Sequence, residues 1–327
     1  SVGRAVEFYL KKFKATKNVA FLKKEKEVKN FDLLIGTLPS EIGKMGLELA
    51  LKYKKDLIDV SAVPISFYLR YKKDISEKGI RVIPGCGFSP GLVNLIAGFE
   101  ACKLEKIKNI DISAGTLPWR DKFFFPFTWS FEDLIDTHLY NAKIIKNGKT
   151  INLPSFSGYK KEKLKEVGEF ESYFIEEWNS LSYSIKPKNM NFRVIRPVGF
   201  FHFFKYFINY NFLTELNIPF TKKILTAKKS DNITLALVKI IGMHQKRKKE
   251  ATWKILSFAE RRDNLNSMQK ITSVMPALIA KNLIDNRIRA KGLLFMEELA
   301  KDKVLFQGII RKIKKEKILI ERSSGKI

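Results

Sequence analysis

The chain has 327 residues, 45% of them hydrophobic, enough for one large α/β unit or two domains and too apolar for a disordered chain. Sixty-one Lys and Arg against 34 Asp and Glu leave a formal charge of +27. The lysines are scattered and no nucleic-acid-binding pattern accompanies them, so they read as a solvated surface, and nucleic acid is disfavoured as a partner. Cys86 and Cys102 have neither metal-ligand spacing nor a disulfide framework, and no apolar run reaches about 18 residues. These features point to a cytoplasmic protein without a metal.

Ser1–Leu10 reads as an amphipathic helix with Gly3 in its first turn. In a dinucleotide-binding fingerprint the last glycine occupies this position and permits close helix–strand packing. A strand and two further glycines come before it, so the first strand is expected to lie outside this sequence. The apolar runs Val19–Leu22 and Phe31–Gly36 read as strands. A helix near 41–53, the strand Leu57–Val60, a helix near 65–77 and the strand Ile80–Ile83 follow. Such alternation predicts a Rossmann-type, doubly wound parallel sheet. Just after the first apolar run, Lys23 and Lys24 suit a ribose 2′-phosphate better than a 2′-hydroxyl, with Glu25 beside them as a complication. NADP is therefore preferred to NAD, and solvated lysines are the alternative.

Arg81–Gly98 is the most informative stretch: a short strand, a loop with three glycines and two prolines, then a helix. Leu92, Leu95, Ile96 and Phe99 fall at i, i+3, i+4 and i+7, which predicts one inward apolar face. The loop brings backbone to the carboxyl edge of a sheet, where open α/β sheets bind ligands, so something flat or anionic is expected against Gly87 and Gly91. The alternative is a turn that needs glycine only for its dihedrals.

With Gly36-Thr37-Leu38-Pro39, Asp59-Val60-Ser61 and this loop, the chain resembles the saccharopine dehydrogenase family, especially its lysine 6-dehydrogenase and glutamate-forming saccharopine reductase branches. Ser113–Pro118, Phe127–Asp136, the Asn147-Gly148 turn, Gly168–Tyr173 and Met268–Ser273 resemble further family segments in the family's order. The resemblance implies a dinucleotide-binding domain over 1–108, rejoined by about 268–327, and a mixed α/β substrate and dimerisation domain over 109–267. It implies a homodimer and an oxidoreductase that moves hydride between NADP or NAD and a carbon–nitrogen bond. The substrate would be a lysine-like amino acid or a polyamine precursor.

The same resemblance assigns site residues. Ser1, Val2, Gly3 and Lys23 would take the phosphates and ribose of the cofactor, and Thr37, Leu38, Pro39, Ser61, Cys86, Gly87, Phe88 and Ser130 would line its nicotinamide half. Ser89, Trp129 and Arg196 would meet the substrate. Arg196 matches an arginine that clamps a carboxylate, a role suited to its planar fork. Ser89 stands where saccharopine reductases carry an aspartate, and Glu176-Glu177 replace a segment that helps bind saccharopine, so saccharopine itself is disfavoured and an amine is welcomed. His138, His202 and His244 have no metal spacing, and His202 lies near a position where some members place a histidine. No catalytic residue is assigned. The aromatic run Phe200–Phe212 reads as a helix buried at a domain or dimer boundary, with a membrane-interface helix as the alternative. The alternative functional readings are a member of the family with decayed chemistry, kept for binding or regulation, and a basic protein associated with membrane or nucleic acid, partners that are both disfavoured.

Overall fold

The computed structural model describes residues 1–16, 18–119, 130–176, 180–226, 231–259 and 265–325. In chain order, α1 (Val2–Lys12), β1 (Leu33–Gly36), α2 (Met45–Tyr53), β2 (Asp56–Asp59), α3 (Ile65–Arg70), α4 (Lys72–Glu77) and β3 (Arg81–Ile83) come first. The buried helix α5 (Leu92–Ala101) leads into the long strand β4 (Lys106–Pro118). Next come α6 (Phe131–Leu139), the hairpin β5 (Ala142–Lys146) and β6 (Lys149–Leu153), and the hairpin β7 (Lys160–Leu164) and β8 (Gly168–Phe174). After α7 (Leu181–Ser184), β9 (Asn189–Arg196), α8 (Phe200–Asn209) and α9 (Ile218–Leu225) comes a long hairpin of β10 (Asn232–His244) and β11 (Arg247–Phe258). The chain closes with α10 (Ser267–Ile284), β12 (Gly292–Leu293), α11 (Met296–Leu299), α12 (Lys303–Lys315) and β13 (Leu319–Gly325).

The first sheet is parallel, in the order β1-β2-β3-β12. Successive strand residues point to opposite faces, and the core divides accordingly. Leu34, Leu57 and Val82 pack with α2, α3 and α4, while Ile58 and Ile83 pack with α1, α5 and α10. Helices thus cover both faces, as a parallel sheet requires. The expected strand Val19–Leu22 is not formed. Among the described residues β1 pairs only with β2, and the backbone of this apolar run is irregular. The region near 65–77 is two short helices that meet at Tyr71.

The second sheet has nine strands, ordered β13-β11-β10-β4-β9-β5-β6, with β8 also paired to β9 and β7 to β8. It is mixed: β4 and β9 run parallel, and the other pairs antiparallel. Asn147 and Gly148 join β5 and β6 with φ of 51° and 76°, the conformation a two-residue hairpin loop demands.

Helix α5 joins the two sheets. Instead of one inward face it is buried almost all round, from Leu92 through Ala97, and its two polar residues are satisfied. Asn94 Nδ2 donates to Ser180 Oγ (3.2 Å) and Glu297 Oε2 (3.3 Å). Glu100 accepts from Trp253 Nε1 (2.9 Å), Arg322 Nε (2.8 Å) and Lys103 Nζ (3.0 Å), which ties β11 and β13 to the helix. A buried ladder of hydroxyls runs from Thr116 to Thr234 (3.1 Å) and on to Ser267 (2.7 Å), fixing the start of α10 to the second sheet. From there α10 packs along α1, with Ser273 Oγ donating to the Val2 carbonyl at 3.4 Å. The aromatic helix α8 buries Phe200 and Phe204 fully and Phe201 and Phe207 in part, and leaves Phe203 and Tyr206 exposed among the described residues.

A β-carbon at Gly98 of α5 would lie 2.2 Å from the Glu297 carbonyl oxygen, whereas Gly308 of α12 has open space around it. Gly98→Ala is expected to destabilise by about 1–3 kcal/mol and Gly308→Ala to stabilise by about 0.5–1 kcal/mol, read from urea unfolding. Equal effects at the two positions would contradict this packing.

Candidate functional site

Because β1, β2 and β3 run parallel, the turns that follow them emerge at one edge, the carboxyl edge, where open α/β sheets place their ligands. The first turn of α1 comes to the same edge. A β-carbon at Gly3 would lie 3.0 Å from Thr37 Oγ1 and 3.0 Å from the Phe21 ring, so glycine gives the helix start a close approach to the turn after β1. Ser1 caps this helix, its hydroxyl facing the Arg4 N–H at 3.5 Å. A helix start offers N–H groups and a positive dipole end to an anion.

The turn after β1 is held from below. The Leu38 N–H donates to Ser61 Oγ (3.2 Å), and the Ser61 N–H donates to Asp59 Oδ1 (2.8 Å). Tyr68 Oη donates to Asp59 Oδ2 (2.7 Å). Asp59 is fully buried, and burial pushes its carboxyl above the usual range although the donors from Tyr68 and Ser61 oppose this. Gly36 is glycine because a β-carbon there would lie 2.5 Å from Asp59 Oδ1. Sequence reasoning noted Asp59 only as part of a family segment. Its bracing role depends on Tyr68, which a strand-and-turn reading leaves unconnected.

The loop 84–91 packs more tightly than its sequence implies. Gly91 has a φ of +136°, and a β-carbon there would lie 2.0 Å from the Gly87 carbonyl oxygen. Gly87 itself faces Val60 and Thr272. Its N–H donates to the Pro90 carbonyl (3.1 Å), and its carbonyl accepts from the Leu92 N–H (3.0 Å). The glycines are therefore required by the loop's own closure, and the amide of Gly87 is spent inside it. Cys86 and Phe88 turn their side chains into the core, where burial pushes the Cys86 thiol up, with the Asp59 charge adding to it. Gly87 and Gly91 are buried with Cys86 and Phe88, and the partly exposed residues of this loop are Gly85, Ser89 and Pro90.

The middle of the chain reaches this edge through α6. Ser130 is its N-cap, its Oγ accepting from the Asp133 N–H at 3.2 Å. Asp133 in turn accepts a hydrogen bond from Ser40 Oγ, which joins α6 to the turn after β1. Trp129 lies outside the described residues. At the far end of α6, His138 is fully buried and packs with Arg196, Tyr173 and Phe200. Its ring centre is 5.3 Å from that of Phe200 and 5.7 Å from that of Tyr173. Arg196 is buried with its guanidinium carbon 5.4 Å from the Phe200 ring centre, and its Nη1 donates to the Ile195 carbonyl (3.1 Å). Burial lowers the Arg196 pKa, with the Tyr173 hydroxyl opposing. Burial first, and the Arg196 charge second, hold His138 well below its ordinary range, so its ring is neutral near pH 7. Across the β8–β9 ladder Glu171 stands opposite Arg196 and caps α8, accepting from the N–H of Gly199 (3.0 Å) and of Phe201.

Other expected residues divide. Lys23 is exposed, two positions beyond the Phe21 ring that meets Gly3. Glu25, the complication beside it, is drawn away by Lys52 (2.5 Å) and Tyr53 (3.0 Å). Glu176 is paired with Lys143 at 2.5 Å, which reduces its welcome for an amine, and Glu177 lies outside the described residues. His202 is exposed on α8, and His244 lies 3.7 Å from Glu105 on a long surface hairpin, so neither joins the cluster. No group of His, Cys, Asp or Glu among the described residues is placed to hold a metal.

A parallel α/β sheet with a helix start and three strand-end turns at one edge, joined to a second mixed sheet, defines a Rossmann-like class of two-part protein. Residues 87–319 match the saccharopine dehydrogenase C-terminal domain family, and the chain belongs to the saccharopine dehydrogenase family. Its fold is similar to that of the apo, histidine-tagged saccharopine dehydrogenase (L-Glu forming) from Saccharomyces cerevisiae. The TM-score is 0.71 at 15% identity, over 92% of this chain and 86% of that one. A more distant likeness, with a TM-score of 0.43 at 12% identity over 90% of each chain, is to a meso-dapdh mutant with DAP from Clostridium tetani E88.

An unfolded histidine takes up a proton near pH 6.5, whereas the buried His138 ring does so only at much lower pH. The folded state therefore binds fewer protons, and this residue's stability contribution is present above about pH 6.5 and lost below it, at up to about 1.4 kcal/mol per pH unit. Urea unfolding at pH 7 and at pH 5 should show a steeper loss for the wild type than for His138→Asn. Equal losses would show that the ring titrates normally.

Proposed function

We propose that this protein is an NAD(P)-dependent oxidoreductase of the saccharopine and lysine dehydrogenase type, acting on the carbon–nitrogen bond of a lysine-like amino acid or a polyamine precursor. The observation that carries the proposal is the approach of the α1 start to the turn after β1, at the carboxyl edge of a parallel sheet in a member of this family. Ser1, Val2 and Gly3 would meet the pyrophosphate, and exposed Lys23, with Glu25 engaged elsewhere, would meet a ribose 2′-phosphate. Thr37, Leu38, Pro39 and Ser61 would border the nicotinamide ring. Cys86, Gly87 and Phe88 would pass along it, and Ser130 would face it from α6. Bound there, the nicotinamide supplies the hydride chemistry, and the residues around it hold geometry and exclude water.

Helix α6 relates this edge to the substrate end. Asp133 touches the cofactor turn and His138 touches the Arg196 cluster, five positions and so about 7.5 Å along the helix axis. On this reading the substrate's carboxylate would meet Arg196 and its amine Ser89. The neutral His138 leaves the positive charge of that end on Arg196. On this reading residues 1–108 with 268–327 form the nucleotide unit, 109–267 the substrate and dimerisation unit, and the protein works as a cytoplasmic homodimer. A second reading, cofactor binding without turnover, is favoured by Ser89 at a position where an ionisable partner for the substrate ammonium would stand. Tight cofactor binding with no turnover of lysine, saccharopine or carboxynorspermidine selects it.

Fluorescence titration with NADPH and NADH is expected to saturate, with NADPH the tighter, and Lys23→Glu to erase that preference by about 10-fold, near 1.4 kcal/mol. Arg196→Lys is expected to lower kcat/KM at least about 10-fold while cofactor affinity stays unchanged, because a lysine cannot reproduce the bidentate fork. Failure of the folded protein to bind either nucleotide would overturn the proposal.

A further inference from the structure

The hairpin of α8 and α9 leaves an unusual amount of apolar surface uncovered. On α8, Phe200, Phe204 and Ile208, at i, i+4 and i+8, pack toward the core. Phe203, Tyr206 and Tyr210, at i, i+3 and i+7, form a second, exposed stripe among the described residues, at 36%, 61% and 71%. The connection adds Phe212 and Leu216, the latter 87% exposed, and α9 adds Phe220 and Ile224, at 65% and 57%. Single exposed apolar residues are ordinary on protein surfaces, but seven within 22 positions of one hairpin are a patch.

Charge identifies the occupant. Lys205 and Lys223 are exposed on these helices, Lys222 is paired with Glu132 of α6 (2.6 Å), and Glu215 is the acidic residue between 200 and 226. A second copy seated on this face would set Lys205 and Lys223 against the same lysines of its partner. The complementary partner is at once apolar and negative. No helix of the described residues is long and apolar enough to cross a membrane, so the contact would be interfacial. Aromatic side chains seated at headgroup depth, with lysines facing lipid phosphates and carboxylates, meet both requirements.

We propose that the α8–α9 hairpin docks this protein onto an anionic phospholipid bilayer, with Phe203, Tyr206, Phe220 and Ile224 entering the interface and Lys205 and Lys223 facing the headgroups. The proposal stands on exposure and charge and is independent of the catalytic reading. It is tested by flotation of the full chain with phosphatidylcholine vesicles containing about 30% phosphatidylserine, at about 0.1 M salt, where surface charges still act over about 10 Å. Binding at least about 10-fold stronger than to pure phosphatidylcholine is expected. Replacing all four apolar residues by serine should abolish flotation while the thermal midpoint is retained. Should that variant not fold, Lys205→Glu with Lys223→Glu leaves the aromatics in place and should lose the preference for phosphatidylserine. Lys314→Glu with Lys315→Glu, on α12, should change nothing. Absence of wild-type flotation, or flotation of the Lys205→Glu, Lys223→Glu protein equal to wild type, would overturn the proposal. So would a four-serine variant whose only change is conversion of a dimer to a monomer, which would place a second copy on this face.

Discussion

Helix α5 is the constraint on which the rest of the structure depends. It is apolar on nearly every side and lies between two sheets, so both sheets and the helices around it are arranged to enclose it. Burying its Leu, Ile and Val side chains contributes about 1.5–3 kcal/mol each, and such burial demands contact at both ends of the helix. At the start, the chain folds back so closely that Gly91 and Gly87 touch through backbone alone. At the other end, Gly98 admits the backbone of Glu297. Glycine is thus used where main chain must meet main chain, and the loop at the sheet edge takes its shape from that need.

The two polar residues of α5 extend the same constraint outward. Asn94 is held by Ser180 and by Glu297, a buried carboxylate that burial pushes above its usual range. Glu100 gathers Trp253, Arg322 and Lys103 and so closes the last strand onto the core. Buried polar groups that are satisfied in this way specify one arrangement of the elements around them. Helix α6 links the turn after β1, through Ser40 and Asp133, to the buried cluster of His138 and Arg196.

Local patterns made much of this legible. The apolar runs at 31–36 and 57–60, the glycine loop and the Asn147-Gly148 turn each carry their structure within a few residues. Val19–Leu22 has the same apolar character, but a strand exists only with a neighbour to bond, and that partner is not a local property. Helix α5 misled in the other direction, because its periodic leucines predicted one buried face and the flanking polar residues found buried partners instead. The site was legible at its turns and not in its depth. Asp59 and Tyr68 meet across nine positions, and His138 reaches Arg196 across 58, through the packing of α6 on β8 and β9. No periodicity announces contacts of that kind. The roles of Gly87 and Gly91 were likewise visible as glycine and not as closure, since the atoms they avoid belong to their own loop, to Val60 after β2 and to α10.

The central claim is that a nicotinamide nucleotide lies along the carboxyl edge between α1 and α6. A crystal structure of the protein grown with NADP tests it most directly. The account predicts pyrophosphate density at the first turn of α1 beside Gly3, and ring density over the backbone of Gly87 facing Ser130. Nucleotide density at any other surface, with this edge closed by protein side chains, would contradict it.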